Sequence, residues 1–326
     1  MDNVARRHHY LPRSYLAGFT DTGASGGELY VFDFELRKVV GPKSTRGIAY
    51  EPDWHAIEGP GTPPDLLERA FAKFEDSVAR TIRHIGSTLE VTSDDLNTLI
   101  GFVALTAVRV PRFRAGVTRQ LEMETGRSFA EAVTEPANWQ SMMRFLPGAD
   151  LGWSAEDCEL FMRGDRRVLA NSGNYHMFAL LLAQGTIFEL LGDRIWSLCV
   201  AEEDAGDYIC SDNPVGLVHS PARKPYVTPF FGERDTVLTF PLTRRLALVG
   251  RYSGDGVAAF VQRRWVALTN FQTLLGAWRY LYGPEKDFVC LSEDGGFGGA
   301  DEVFSHLRPR EMWEFEDDAP SLNLNV

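Results

Sequence analysis

From position 67 to position 85 the large apolar residues are Leu67, Phe71, Phe74, Val78, Ile82 and Ile85, recurring at spacings of three and four. That period puts them on one face of a helix, and a face so apolar must be buried against something. The helix is predicted to rise out of the loop "GPGTPPD" (59–65), with Thr62 as N-cap and proline in the first turn, where it costs no hydrogen bond. Glu68 and Glu75 are seven apart and share a face of the same helix. Either both are solvated, or one turns inward and meets Arg109 in an ion pair.

A second helix is predicted from Ser93, with Asp94 and Asp95 in its first turn, where the helix dipole favours negative charge. It runs to Pro111, which should kink or end it. Further helical text lies at about 128–145, 154–163 and 174–193. Before all of this, "GASGG" (23–27) reads as a turn, and "ELYVFDF" (28–34) with "RKVVG" reads as a hairpin. After it come "RIWSLCVA", "DYICS", "DTVLTFPL" and "RLALVG", short runs rich in β-branched and aromatic residues, expected to form an antiparallel sheet. A last amphipathic helix is expected at about 257–281, then a strand-like "DFVCL".

Grouped helices followed by grouped strands predict an α+β fold, not alternating βαβ units. The expected organisation is a single compact domain over 1–310. Its parts are an N-terminal hairpin region (1–58), a helical middle (62–193) and a sheet-rich part (194–292), with an acidic tail (311–326).

Composition narrows the partners. A formal net charge of −12 works against long nucleic acid as the partner. Cys158, Cys199, Cys210 and Cys290 make no CxxC pair, so neither a zinc ribbon nor a thioredoxin-type centre is expected. Without a hydrophobic signal region or a bilayer-length apolar run, the chain is expected to be cytoplasmic, with no membrane partner. No P-loop, HExxH or GxSxG is present, and the glycine-rich "EDGGFGGAD" (293–301) lacks the order of a dinucleotide site.

Four segments stand in a distinctive order: "HHYLPRSYL" near the start, "RVP" at 109–111, "SDNPV" at 211–215 and "PLTRRLAL" at 241–248. With Asn270 and "RYLY" (279–282), this arrangement resembles the mainly bacterial family known as domain of unknown function 4238. The resemblance runs from His8 to about Tyr282 and implies no activity. It implies an Asp-Phe-Tyr-like segment after the first hairpin; here the residues are Asp53, Trp54 and His55, so no tyrosine hydroxyl is available there.

The candidate residues follow from their chemistry. His8 and His9 are adjacent, so in an extended segment they face opposite ways and at most one lines a given site. His9, Asp212 and Asn213 are the candidate catalytic groups; a divalent metal, if one is used, is expected on Asp212 and His9. His8, Tyr10, Arg13, Arg109, Arg112 and Asn270 are the candidate substrate-binding groups. Arg109 and Arg112, three apart, would share a helical face and suit a carboxylate or phosphate. Imidazole, carboxylate and guanidinium together point to a hydrolase or transferase acting on a phosphate-bearing small molecule such as a nucleotide, a phosphodiesterase or nuclease in its concrete form. The alternative is a non-catalytic interaction protein in which the same residues are satisfied by one another.

Overall fold

A computed structural model of the chain describes residues 7–56, 65–122, 173–219, 229–292 and 296–300. Thr62, the helical text expected at 128–145 and 154–163, Cys158 and the acidic tail lie outside them.

The apolar stripe forms helix α2 (Leu66–Thr88), with Leu67, Phe71, Val78, Ile82 and Ile85 buried. It packs on α3 (Ser93–Arg109), which begins in a reciprocal capping box. Thr92 Oγ1 accepts the Asp95 N–H at 3.1 Å, and Asp95 Oδ2 accepts the Thr92 N–H at 3.1 Å. Every residue from Leu99 to Thr106 is buried, because α3 also carries α5 (Gly173–Gly192) against it. Among the described residues no single helix is long and apolar enough to cross a membrane.

Pro111 acts on the residue before it. Val110 is forced to an extended conformation (φ −77°, ψ 154°), α3 stops at Arg109, and α4 (Pro111–Glu122) sets off at 54° to it. The break corrects one expectation. Arg109 ends one helix and Arg112 opens another, so they share no helical face.

The strands form two larger sheets. In the first, β5 (Ile195–Ala201) is flanked by β9 (Leu246–Arg251), followed outward by β8 (Thr236–Pro241) and β7 (Gly216–His219), all antiparallel. On the other side of β5 lies β10 (Ala258–Val261), which pairs with it in parallel. The second sheet joins the two ends of the chain. The hairpin β2 (Glu28–Asp33) and β3 (Lys38–Ser44) continues through β11 (Tyr280–Gly283) to β6 (Cys210–Ser211). The hairpin is therefore built into the later strands. Two short pairs complete the pattern: β1 (Arg7–His9) with β4 (Tyr50–Pro52), and β12 (Cys290–Leu291) with β13 (Phe297–Gly298).

The last helix is shorter than expected. Residues 258–261 alternate in exposure as a strand, α6 spans only Arg263–Gly276, and the "RYLY" text is strand β11. A short helix, α1 (Arg13–Ala17), nails the helices to the first sheet through Tyr15. The Tyr15 ring meets Phe19 and Phe102 edge-on, stacks on Phe240, and its hydroxyl donates to the Pro241 carbonyl at 2.6 Å. That hydrogen bond lets a polar tip sit in an apolar core without penalty.

Candidate functional site

The Ser-Asp-Asn-Pro turn follows β6, and its side chains are engaged by the protein. Asp212 is fully buried. Its Oδ1 accepts the Trp278 N–H at 2.7 Å, and its Oδ2 accepts the Arg279 and Tyr280 N–H groups at 2.7 and 2.9 Å. Three successive backbone donors, left over where α6 has ended, are gathered by one carboxylate. Burial nevertheless outweighs those three bonds and pushes the Asp212 carboxyl up to about 6.

Asn213 Nδ2 donates to the Gly276 carbonyl at 2.7 Å, closing the end of the same helix. Asn270, inside α6, accepts the Ile209 N–H at 3.0 Å and donates to the Asp207 and Val289 carbonyls at 2.9 and 2.8 Å. Tyr10 is buried with its hydroxyl 3.1 Å from that of Tyr282. Asp212, Asn213, Asn270 and Tyr10 are thus joints of the fold. The expectation of a metal on Asp212 and His9 is corrected on the same ground, since both Asp212 oxygens already hold backbone N–H groups.

A different set of residues collects beneath β1 and β4. Antiparallel pairing lays His8 against Glu51, and the chain then turns through Asp53 at φ 51°. Trp54 is pinned by its indole N–H to the Arg109 carbonyl at 3.0 Å, with the Arg114 guanidinium 4.3 Å from the centre of its ring. His55 is delivered into the interior, where its ring stacks on His8 with centroids 5.6 Å apart and planes 6° from parallel. His8 Nδ1 accepts the His55 backbone N–H at 2.8 Å. On its other edge His55 Nδ1 donates to Glu68 Oε2 at 2.9 Å. Burial holds the His55 imidazole well below its usual range, and the nearby Arg109 adds to the effect, so the ring is neutral and Nδ1 carries the proton.

Arg109, the last residue of α3, ties this cluster together from below. It is buried; its Nη1 donates to Glu75 at 2.5 Å, its Nη2 to the His9 carbonyl at 2.7 Å, and its Nε faces His55 Nε2 at 3.4 Å. The guanidinium also lies 4.5 Å from the centre of the Phe71 ring. The ion pair foreseen for one of the two glutamates is present, and Glu75 makes it. Glu68 instead meets His55. With these contacts made, Arg109 positions His9 and His55, and its expected role as a substrate anchor is corrected.

His9 is the residue left poised. It is half-buried, and the Arg46 backbone favours its charged form against burial. Among the described residues Nε2 is buried and has no hydrogen-bond partner; Arg13 Nε is in the same condition. Burial and the neighbouring Arg13 charge bring the His9 imidazole down to about 4, with Glu68 opposing them. Two unanswered nitrogens therefore fall within four residues of each other where the first strand passes into α1, and the Arg13 charge is felt at His9. Arg112 is half-buried at the start of α4.

Sequence reasoning found His8, His9, Arg13 and Arg109 and weighed Glu68 as one of two glutamates that could meet Arg109, but did not bring in His55 or the His55–Glu68 contact. The available signal was the segment Asp53-Trp54-His55, where the chain departs from the expected tyrosine, together with a glutamate on the apolar stripe's flank.

Fold and site together define an α+β protein whose N-terminal His-His-Tyr strand roofs a buried histidine–arginine–glutamate cluster. The chain belongs to the family described as protein of unknown function DUF4238, whose family model matches residues 7–287. No curated protein and no solved structure matches the chain.

Proposed function

We propose that this chain is a hydrolase or transferase acting on a phosphate-bearing small molecule of the nucleotide kind, with His9 as general base and Arg13 as the phosphate anchor. The observation that carries the reading is the buried, unpartnered Nε2 of His9, on an imidazole whose protonation the Arg13 charge opposes, together with the unpartnered Nε of Arg13 four residues on. A lone pair so placed takes a proton from water or a substrate hydroxyl, and a guanidinium suits the charge on phosphate oxygens. Arg109 holds the His9 main chain through its carbonyl at 2.7 Å, which fixes where the base stands. The net charge of −12 favours a small substrate over a long polyanion. A cytoplasmic location accords with this substrate class.

The test is turnover by the full chain against phosphomonoesters, phosphodiesters and nucleotides, beside His9→Gln and Arg13→Gln. His9→Gln is expected to lower kcat by roughly 10²- to 10⁴-fold, the range for loss of a positioned base. Arg13→Gln is expected to act mainly on KM. Absence of turnover on every ester, or full activity in His9→Gln, would overturn the reading.

A further inference from the structure

We infer that His8, His55 and Glu68 form a binding site for one divalent transition-metal ion of the zinc type. One ring nitrogen from each histidine and one carboxylate oxygen all lie within 4.8 Å of one another, the group among the described residues that meets this condition. The inference goes beyond the reading of His9 and Arg13 and does not depend on it.

Geometry supports it first. Zinc bonds of about 2.0–2.2 Å in a tetrahedron put neighbouring ligand atoms roughly 3.3 Å apart. His55 Nδ1 and Glu68 Oε2, at 2.9 Å, are already near that spacing. The His8 nitrogen lies within 4.8 Å of both. The ligands also come from three separately anchored places: strand β1, the pinned Trp54–His55 turn and the first turn of α2. Such anchoring keeps the set together before any ion arrives.

Donor chemistry selects the ion. Two imidazoles and a carboxylate suit zinc and its first-row neighbours, whereas magnesium and calcium call for oxygen ligands. Coordination through His55 Nδ1 would move the proton held there to Nε2 of the same ring, by way of solvent at Glu68, whose side chain is 24 % exposed, so that no net proton is lost. The longest contact in the network, 3.4 Å between Arg109 Nε and His55 Nε2, is the one that would loosen, as Nε2 takes up the ring's proton. Arg109 keeps its charge partner, Glu75. Two neutral rings and one carboxylate would leave the bound ion with a net positive charge.

The test strips the full chain with a chelator and titrates it with Co²⁺, then with Zn²⁺ in competition, with Mg²⁺ as control. The expected result is one equivalent of Co²⁺ with the visible absorption of a four-coordinate site, displaced by Zn²⁺, and a rise in Tm with Zn²⁺ but not Mg²⁺. Glu68→Gln, at a partly exposed position that leaves the fold intact, should weaken binding beyond the roughly 10- to 100-fold typical of outer-shell changes. His55→Gln should do the same where it folds, and exchange of the exposed His84 for Gln should change nothing. No Co²⁺ spectrum and no Zn²⁺ effect on Tm would overturn the site, as would unweakened one-equivalent binding in Glu68→Gln. Because every readout is binding or stability, a failed activity assay leaves this result untouched.

Discussion

Asp212 sets two large effects against each other, and replacing it separates them. Its carboxyl is pushed from an ordinary 3.8 to about 6 because complete burial outweighs three backbone N–H bonds. Between those values the folded state keeps a proton that the unfolded chain has released. Stability from this group is therefore fully present below about pH 4 and is lost as pH rises through 6, by about 3 kcal/mol at 1.36 kcal/mol per pH unit. Asparagine does not titrate, but its amide nitrogen cannot accept: its one oxygen can keep the Arg279 and Tyr280 N–H groups, and the Trp278 N–H loses its acceptor. Asp212→Asn should then lie about 1 kcal/mol below the wild type near pH 4 and exceed it by up to about 2 kcal/mol near pH 7.5. Alanine offers no acceptor to Trp278, Arg279 and Tyr280, each half-buried. At about 1 kcal/mol per lost bond, the low end for donors that water partly reaches, Ala should lie about 2 kcal/mol below Asn at both pH values. Urea unfolding of the three proteins at the two pH values, read as midpoint and slope, measures all of this. If Asp212→Asn is the less stable protein near pH 7.5, the N–H bonds outweigh burial and the carboxyl lies below its ordinary range. If Asn and Ala are alike, Asp212 does not hold the α6–β11 connection at all.

Other joints predict comparable losses. Glu75→Gln leaves the Arg109 guanidinium buried without its charge partner, and thermal and urea unfolding should show a loss of about 3 kcal/mol or more. Tyr10→Phe strands the Tyr282 hydroxyl in the core and should cost about 1–2 kcal/mol; adding Tyr282→Phe should cost less than the two single losses together, a double-mutant cycle testing their 3.1 Å contact. Asn270→Ala removes the acceptor of the Ile209 N–H and both carbonyl contacts, so a loss of about 2–4 kcal/mol is expected in the same assay.

What the sequence disclosed follows the range of the forces involved. The stripe from Leu67 to Ile85 was legible because a helical period is a local fact and burial follows from it. So was the break at Pro111, since the clash with Val110 is between neighbours. The α6 boundary was not. A helix was expected over 257–281, yet Phe260, on β10, and Trp265, in α6, are 66 % and 46 % exposed, and past the end of the helix the next N–H groups go to a carboxylate more than sixty residues upstream. Asp212 shows the same limit from the other side. An acidic residue in a Ser-Asp-Asn-Pro turn reads equally well as a catalyst or a turn former, and only the arrival of residues 278–280 decides between them. His55 and Glu68 depend on longer-range events still: β1 must pair with β4 before His8 and His55 can stack, and α2 must dock before Glu68 reaches the ring. Arg109 was legible in part because a lone cation at the end of an apolar helix has to find a carboxylate, and the helix predicted beside it offered two. Its further work, holding the His9 carbonyl, uses a main-chain atom, and main-chain atoms carry no side-chain signature. The two motifs that lead this chain thus have different meanings. Ser-Asp-Asn-Pro closes the fold, and the N-terminal His-His segment, stacked over a histidine and a glutamate that follow the first hairpin, is where the unpartnered chemistry collects.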